Sequence, residues 1–321
     1  MYITPFFSVI IPAYQAQEHI GEAIQSVLSQ KYDQFEIIVI DDESTDHTVQ
    51  FVKNFRDERI ICYSIRHVGT QQARYWGITH AKGTYLIFLD ADDRLTDNAL
   101  ESICCSIRSN PCDLYIGGML FYDKDGLCHE VNKEIPGGFI DKEDLFRLMT
   151  DKRMIKTLAR KVLKREVALY SEALIRENTM TYGEDMFYSM DVLMKVRTIF
   201  VSHDIMYEYI LRDHGTMSRF CVEKYRDRIL MYKAILYYGS MMGIGKNELD
   251  RISEVYLTKQ LADCLIEIDH YGCNNWKYDS RFENEKDEIL KILIKHSLAI
   301  SDFHEYYNDM QMKIFREYEV C

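Results

Sequence analysis

The sequence predicts an α/β protein with a mostly parallel sheet and helices on both faces, followed by an all-helical C-terminal region. In the N-terminal part of the chain, short apolar runs alternate with stretches in which apolar residues recur every three or four positions. Strands that alternate with helices in this way are typical of a parallel sheet that is covered on both sides. From about residue 222 the apolar residues keep helical spacing alone, which predicts the helical tail.

Each predicted strand is a short apolar run bounded by polar or turn-forming residues. These runs span 7–11, 35–40, 59–65, 85–89 and 113–121. Helical spacing of apolar residues lies between them, at 20–28, 46–55, 70–80 and 96–109. Five strands and four helices in strict alternation make the N-terminal part the more regular half of the protein.

The regular alternation stops near residue 123. Helical periods return around 142–149 and 185–196, and everything from about 222 reads as helix, although no linker-like composition marks a boundary. We therefore predict a first domain at about 1–220 and a helical extension at 221–321.

The charge balance argues against a nucleic-acid-binding protein. The 321 residues include 39 Lys and Arg against 51 Asp and Glu, for a formal net charge of −12. Nucleic-acid proteins gain most of their affinity from Lys and Arg on phosphates, so we predict no nucleic-acid partner. A nucleotide ligand held by local groups or a metal remains compatible with this charge.

The sequence predicts a cytoplasmic protein. The 9 cysteines are scattered without a Cys-x-x-Cys pair, which argues against a disulfide framework or a zinc site. No basic segment precedes the first apolar run, and Pro12 ends that run early, so we expect no signal peptide. The longest later apolar stretch, 229–245, is interrupted by Lys233 and falls short of the roughly 20 apolar residues that span a membrane.

Polar residues follow three of the predicted strands. The first strand ends in Pro12-Ala13-Tyr14, the second in the acidic run 41–46, and the fourth in Asp90-Ala91-Asp92-Asp93. Ligands of open α/β sheets bind outside the carboxyl ends of strands. Crowded carboxylates are electrostatically costly unless a cation or hydrogen-bond donors offset their charge, and Mg²⁺ or Mn²⁺ prefers such oxygen ligands. The alternative for the 41–46 loop is that its side chains only cap the following helix.

Other phosphate-binding motifs are missing from the sequence. No G-x-G-x-x-G follows a strand, and no G-x-x-x-x-G-K is present. Arg94 and Leu95 stand where an EF-hand loop needs a ligand and a glycine. The remaining possibility is a nucleotide held through its diphosphate by a metal.

Four motifs in order resemble those of the family 2 glycosyltransferases. They are SVIIPAY at 8–14 with DDESTD at 41–46, HVGTQQARYWGI at 67–78, GTYLIFLDADD at 83–93 and GED at 183–185. The resemblance covers about 1–220 and implies the GT-A fold, a UDP-sugar donor and a Mn²⁺ or Mg²⁺ ion. It also implies a nucleotide-binding half at about 1–122 and an acceptor half at about 123–220.

The resemblance implies roles for the donor-binding residues. By motif position, Pro12, Tyr14 and Asp41 hold the uridine, with Arg74 nearby. The resemblance assigns the diphosphate and the metal to other residues, which follow the fourth predicted strand or lie near residue 212.

Asp90 and Asp92 form the family's Asp-x-Asp element. Asp90 faces the ribose or the metal, and Asp92 binds the metal directly. Asp93 adjoins this element and is a further candidate for the site, with capping of the following segment as the alternative. Arg212 and His214 are candidates for the diphosphate, with an ordinary surface position as the alternative.

Asp185 is the catalytic base that the resemblance implies, and Glu184 orients either that base or the acceptor. The alternative is that Gly183-Glu184-Asp185 merely starts a helix. With Asp185 as base, attack opposite the leaving group inverts the anomeric carbon.

Four positions depart from the family pattern. Gln15, His67 and Tyr75 stand where Asn is usual, and Glu43 stands where Gly is usual. Glu43 tests whether that turn needs a positive φ. These departures concern the fine contacts with the donor more than the fold.

The predicted function is transfer of a sugar from a UDP-sugar to a hydroxyl of a glycan or lipid-linked acceptor, in bacterial surface polysaccharide synthesis. The alternatives are a catalytically silent protein that binds nucleotide sugars and a sugar-phosphate nucleotidyltransferase. The last would need a Gly-rich loop after the first strand, where Pro12-Ala13-Tyr14-Gln15 stands.

Two further hypotheses concern partners. The stretch from Lys152 to Arg165 contains seven basic residues and no acidic residue. It predicts contact with anionic lipid headgroups at the inner face of the membrane or with a lipid-pyrophosphate acceptor, and the alternative is a solvated helix face. An apolar stripe in the tail, Phe303 to Ile314, predicts core packing or a homodimer contact.

Overall fold

The computed structural model describes residues 4–123, 126–131, 135–151, 155–169, 180, 182–212 and 222–275. The chain divides into two compact units, residues 1–179 with 184–213 and residues 180–183 with 214–321. The first unit contains the sheet, and the second contains the long C-terminal helices. The stripe from Phe303 to Ile314 lies outside the described residues.

The first part of the chain alternates strands and helices as the sequence predicts. In order, these elements are β1 (Phe7–Ala13), α1 (Ile20–Leu28), β2 (Phe35–Asp41), α2 (Thr48–Asn54), β3 (Ile60–Ser64), α3 (Thr70–His80), β4 (Tyr85–Phe88), β5 (Arg94–Leu95) and α4 (Ala99–Ser109). All residues of β1 and β2 are buried, which agrees with their largely apolar sequence. The buried Ser8 hydroxyl donates to the Glu36 carboxylate on the neighbouring strand at 2.6 Å.

The second part of the first unit contains more strands than the sequence predicts. Its elements are β6 (Leu114–Tyr122), β7 (Cys128–Val131), β8 (Gly138–Phe139), α5 (Lys142–Asp151), β9 (Lys161–Lys164), α6 (Arg165–Leu169), α7 (Glu184–Leu193) and β10 (Ile199–Ile210). The sequence predicts β6, α5 and α7 correctly. It does not reveal β10, whose exposed middle carries polar residues and whose pairing is interrupted by register shifts.

The strands form one sheet in the order β3-β2-β1-β4-β9-β6-β10-β5, with β7 beside β6 and β8 beside β10. The pairs among β1, β2, β3 and β4 are parallel, as is the pair of β6 with β10. The short β9 runs antiparallel to β4 and β6 and joins these two groups. The α/β class is thus confirmed, and the sheet is mixed outside its first four strands.

Helix α3 approaches β1 closely, and this sets the position of the residues at its start. A Cβ on Gly77 would lie 2.3 Å from a side-chain carbon of Ile10, so only glycine permits this packing. Arg74 and Gln71 of the same helix are buried. The contact therefore fixes Arg74 beneath the carboxyl ends of the parallel strands.

The second unit contains α8 (Val222–Met241) and α9 (Lys246–Asn275), which pack against each other. Tyr182 joins this unit: its amide donates to Asp227 at 3.0 Å and its hydroxyl to Gln260 at 3.1 Å. The predicted helical character is confirmed as far as residue 275. Within the parts of the chain that the structure describes, no helix combines the length and apolar character needed to cross a membrane.

Candidate active site

The ends of β1 and β2 lie side by side because Ala13 pairs with Asp41 in a parallel register. Asp41 is buried and accepts a hydrogen bond from the Ser44 amide at 3.3 Å. Tyr14 follows β1 with 51% of its surface exposed, and Pro12 is buried within the strand. The structure thus brings Pro12, Tyr14 and Asp41 to one edge, and their contacts with uridine stay a prediction.

Gln15 connects the loop after β1 to the loop after β2. Its side-chain oxygen accepts from the amides of Thr45 and Asp46, both at 3.1 Å, and its own amide donates to Ser44 at 3.0 Å. The Asp46 carboxylate accepts from the Thr48 amide at the start of α2. Asp46 therefore meets α2 as the helix-capping alternative predicts, but its other carboxylate oxygen accepts from the Gln17 amide at 3.1 Å, so capping is not its only role. Gln15 joins the two loops from the position where the family usually has Asn.

Asp42 and Glu43 organise the loop that precedes α3. The buried Asp42 carboxylate accepts from the amides of Val68 at 2.8 Å and Gly69 at 2.9 Å. Glu43 has φ +64, so this turn does adopt the left-handed conformation that usually favours glycine. The Glu43 carboxylate accepts from the His67 amide at 3.1 Å, which offsets part of the strain. Because both carboxylate oxygens of Asp42 accept from the loop before α3, Asp42 does not cap α2.

Arg74 is the centre of the acidic cluster at this edge. Its guanidinium contacts Asp90 at 2.9 Å, Asp185 at 2.5 Å and Glu184 at 3.7 Å, measured between nitrogen and carboxylate oxygen. Only 6% of the Arg74 side chain is exposed, against 34% for Asp90 and 21% for Asp185. The sequence places Arg74 near the uridine, whereas the structure places it between the Asp-x-Asp element and the later acidic pair.

Burial and charge act in opposite directions on the pKa values of this cluster. Burial opposes the charge of Arg74, but the carboxylates of Asp185, Asp90 and Glu184 outweigh it and raise its pKa. Burial raises the pKa of Asp90, as do Asp185 and Asp92, against the effect of Arg74. Burial, and then the charge of Asp185, raise the pKa of Glu184 to about 7. Arg74 therefore stabilises three acids that would otherwise repel one another.

Asp185 is held at both carboxylate oxygens. One oxygen receives Arg74, and the other accepts from the Leu158 amide at 3.0 Å. Gly183 precedes the acidic pair with φ +83, which a residue with a side chain adopts only with strain, and α7 begins at Glu184. The two acids do stand in the first turn of a helix, but Asp185 binds groups outside that helix.

Asp90 and Asp92 offer the ligand chemistry that Mg²⁺ and Mn²⁺ prefer. Among the described residues, no group of three or more His, Cys, Asp or Glu side chains could hold a metal alone. Mg²⁺ is commonly bound by one or two carboxylates together with substrate phosphates, and this pair fits that pattern. Arg212 contacts the carbonyl oxygen of Asp92 at 3.2 Å, a contact that does not occupy the carboxylate.

Arg212 is thus part of the site and not an ordinary surface residue. It follows β10, and its buried Nε has no hydrogen-bond partner within the described part of the chain. His214, the other candidate for the diphosphate, lies outside the described residues. The sequence signal for Arg212 is its place in the stretch from Met206 to Ser218, which resembles the segment that closes the family's domain.

Asp93 has a structural contact that the sequence does not predict. Its buried carboxylate accepts from the Tyr207 hydroxyl at 2.8 Å and from the Ile210 amide at 2.9 Å. The Tyr207 hydroxyl in turn accepts from the Asp90 amide at 3.1 Å. The alternative that Asp93 caps the following segment does not hold, because its carboxylate binds β10 instead and ties the Asp-x-Asp loop to that strand. Burial raises its pKa well above the ordinary value, and the charges of Asp90 and Asp92 act in the same direction.

The basic stretch 152–165 is not a continuous helix face. Arg160 and Lys161 are buried, and β9 begins at Lys161. Neither residue can therefore contact a lipid surface, and both predicted roles for the stretch are wrong for this pair. Lys152 and Arg153 lie outside the described residues.

Solved structures of Staphylococcus aureus TarS share this architecture. Its residues 1–349 in complex with UDP-GlcNAc match at a TM-score of 0.64 and 20% identity, covering 90% of this chain and 81% of that chain. A longer TarS structure matches at a TM-score of 0.58 and 18% identity, covering 91% of this chain and 49% of that chain. Similarity at this identity establishes the fold, which is GT-A.

Curated relatives are bacterial glycosyltransferases. The poly(ribitol-phosphate) beta-glucosyltransferase of Bacillus spizizenii is 26% identical over 222 residues, 65% of this chain and 32% of that protein. The poly(ribitol-phosphate) beta-N-acetylglucosaminyltransferase TarS of S. aureus is 24% identical over 220 residues, 65% of this chain and 36% of that protein. This chain spans about a third of the length of both.

A third relative matches a larger share of its own length. The UDP-Glc:alpha-D-GlcNAc-diphosphoundecaprenol beta-1,3-glucosyltransferase WfaP of Escherichia coli is 30% identical over 171 residues, 43% of this chain and 66% of that protein. The chain also matches the family described as Glycosyl transferase family 2 over residues 8–168, half of its length. The chain is therefore a member of glycosyl transferase family 2.

Proposed function

We propose that this protein transfers a sugar, with inversion, from a UDP-sugar to a hydroxyl of a glycan or lipid-linked acceptor in bacterial surface polysaccharide synthesis. One observation carries the proposal: Arg74 joins Asp90 of the Asp-x-Asp element to Asp185 of the later acidic pair. In this proposal Asp90 serves the leaving diphosphate and Asp185 serves the acceptor, and their shared contact with Arg74 supports a single site for both.

The acceptor hydroxyl has a high pKa and needs a base within hydrogen-bond reach. Asp185 is that base in this proposal. Its two contacts, with Arg74 and with the Leu158 amide, fix the plane of the carboxylate. Each carboxylate oxygen has a second lone pair, so the group still has capacity to accept the acceptor's proton.

Negative charge develops on the departing UDP. A divalent ion, Mn²⁺ or Mg²⁺, held by Asp90 and Asp92 would neutralise that charge. Arg212 adds a positive charge at the Asp92 loop, where it contacts the Asp92 carbonyl oxygen. Attack by the acceptor from the side opposite the UDP inverts the configuration at the anomeric carbon.

The relatives support the choice of donor and acceptor class. The WfaP name gives UDP-glucose as donor and a diphosphate-linked lipid as acceptor, and TarS has been solved with UDP-GlcNAc. The names of two relatives give poly(ribitol-phosphate) as the acceptor. A hexose or N-acetylhexosamine is therefore the sugar that we propose for this chain.

The test is UDP release from a panel of UDP-hexoses and UDP-N-acetylhexosamines, with lipid-diphosphate sugars and polyol-phosphate oligomers as acceptors. We expect acceptor-dependent UDP release from one donor that requires Mn²⁺ or Mg²⁺, and a product of inverted anomeric configuration by NMR. Binding of UDP-sugars without turnover on any acceptor would favour the silent binding protein. Retention of configuration would contradict the role given to Asp185.

A further inference from the structure

Lys161 is a buried lysine that the proposed reaction does not use directly. Only 2% of its surface is exposed, and apolar side chains that include Leu114, Leu145 and Met149 surround it. An ammonium group in such surroundings is costly unless its three protons find acceptors. Its place in the fold therefore calls for a specific structural explanation.

All three protons of Lys161 find acceptors. The Nζ atom lies 2.5 Å from the Ile155 carbonyl oxygen, 2.6 Å from that of Thr157 and 3.1 Å from the Ser189 hydroxyl. Ser189 belongs to α7, the helix that begins with the acidic pair. Lys161 therefore ties the segment 155–157 to this helix.

The next residue of that segment touches the proposed base. The Leu158 amide donates to the Asp185 carboxylate at 3.0 Å, on the oxygen that Arg74 does not contact. The amide of Lys161 donates back to the Leu158 carbonyl at 2.9 Å and closes the turn. The side chain and the backbone of Lys161 together fix the direction of the Leu158 N–H.

We propose that Lys161 is a positioning residue that orients the Asp185 carboxylate through the Leu158 amide. The inference rests on the proposed function, because it takes Asp185 as the base. Without the Lys161 ammonium, two carbonyls and a hydroxyl lose their partner, and the segment 155–158 is no longer held against α7. Asp185 then keeps its contact with Arg74, but its second oxygen loses a fixed donor.

The first measurement is the amide exchange rate of Leu158, followed by NMR on chain labelled with ¹⁵N-leucine. Lys161→Met keeps the length and apolar bulk of the side chain but removes its three hydrogen bonds. Because loss of more than one hydrogen bond makes local opening easier, we expect amide exchange at Leu158 to be faster by about tenfold or more. Ser189→Ala, which removes one acceptor, should give a smaller increase. The control is Lys164→Met on the same strand, whose Nζ is 3.5 Å from Glu166, and which should leave the Leu158 rate unchanged. An unchanged Leu158 rate in both Lys161→Met and Ser189→Ala overturns the proposal, whatever the chain transfers.

The second measurement is turnover of the UDP-sugar used by the native chain. We expect Lys161→Met to lower kcat by roughly tenfold to a hundredfold, a range typical of lost orientation in a site, with KM for the donor within about twofold. In the Asp185→Asn background the same substitution should change kcat by less than about twofold, since residues that act as a unit are not additive. Equal losses in both backgrounds would show that Lys161 acts independently of Asp185. If the native chain turns over no UDP-sugar, the proposed function fails, and the amide exchange still decides the contact.

Discussion

Arg74 and Asp185 lie 111 positions apart in the sequence and form an ion pair of 2.5 Å between guanidinium and carboxylate. The same guanidinium also holds Asp90 at 2.9 Å. Removing a buried cation that two acids share is costly, because each acid then remains in a buried site without its partner. The pair therefore links the stability of the site to its chemistry.

Replacing Arg74 by Met should destabilise the protein strongly. We expect a loss of about 3 to 5 kcal/mol in the free energy of unfolding, the range for removal of one partner from a buried ion pair. Urea denaturation measures this loss. The control is Arg147→Met, which breaks a pair with Asp144 whose side chains are 38% and 59% exposed, and should cost no more than about 1 kcal/mol. Similar losses in both variants would contradict the buried character of the Arg74 cluster.

Glu184 should make stability depend on pH. Burial, and then the charge of Asp185, raise the pKa of Glu184 from its ordinary value of 4.5 to about 7. The contribution of the protonated group is therefore fully present below pH 4.5 and is lost as the pH rises to about 7.

Glu184→Gln removes this titration and keeps the shape of the side chain. Relative to the native chain, the variant should gain about 1 to 2 kcal/mol in unfolding free energy between about pH 5 and pH 8, a value reduced for partial exposure of the group. Denaturation curves at the two pH values give the difference. A constant difference across this range would show that Glu184 titrates as it does in the unfolded chain.

The turn at Glu43 allows strain and hydrogen bonding to be separated. Its φ is +64, and its carboxylate accepts from the His67 amide at 3.1 Å. Glu43→Ala loses the hydrogen bond and keeps the strain, whereas Glu43→Gly loses the bond and relieves the strain. The Ala variant should be less stable than the Gly variant by about 1 kcal/mol, the cost of the left-handed conformation. Thermal unfolding of the two variants provides the comparison, and equal stabilities would mean that the turn relaxes in the Ala variant.

Nucleotide binding should require Asp92. Thermal unfolding with UDP and Mn²⁺ should raise the stability of the native chain, by about 2.7 kcal/mol at a hundredfold excess over the dissociation constant. Without Mn²⁺, or in Asp92→Asn, the shift should be small. An equal shift in the native chain without the metal would contradict the metal-bound diphosphate.

The sequence predicts the parallel part of the fold well and the rest less well, for physical reasons. β1 and β2 are largely apolar because both of their faces are buried, and such runs are easily recognised. β10 is half exposed and irregular in register, so its pattern is weak. Lys161 is buried at the start of a strand, although a basic run usually indicates solvent exposure. One of its hydrogen-bond partners, Ser189, is distant in the sequence, so local sequence patterns do not reveal the contact.

The candidate site shows the same division. The acids Asp90, Asp92 and Asp185 could be found from motifs alone, and the structure brings Asp90 and Asp185 onto one guanidinium. The position of Arg74 between them could not be predicted, because an ion pair between residues far apart leaves no local pattern. The hydrogen bond from Leu158 to Asp185 is made by backbone and carries no sequence signal at all.

The most direct test of the account is a comparison of Asp185→Asn with the native chain in single turnover of the UDP-sugar in the presence of Mn²⁺ and acceptor. We expect the rate of sugar transfer to fall by about a hundredfold to ten-thousandfold, the usual effect of removing a general base, while UDP affinity stays within a few-fold. Asn keeps the shape of the side chain, but its single amide oxygen can replace only one of the two carboxylate acceptors that Arg74 and Leu158 use, so circular dichroism of the variant first checks that the fold is retained. A variant that transfers sugar at the native rate would remove Asp185 from the base role and contradict the central claim.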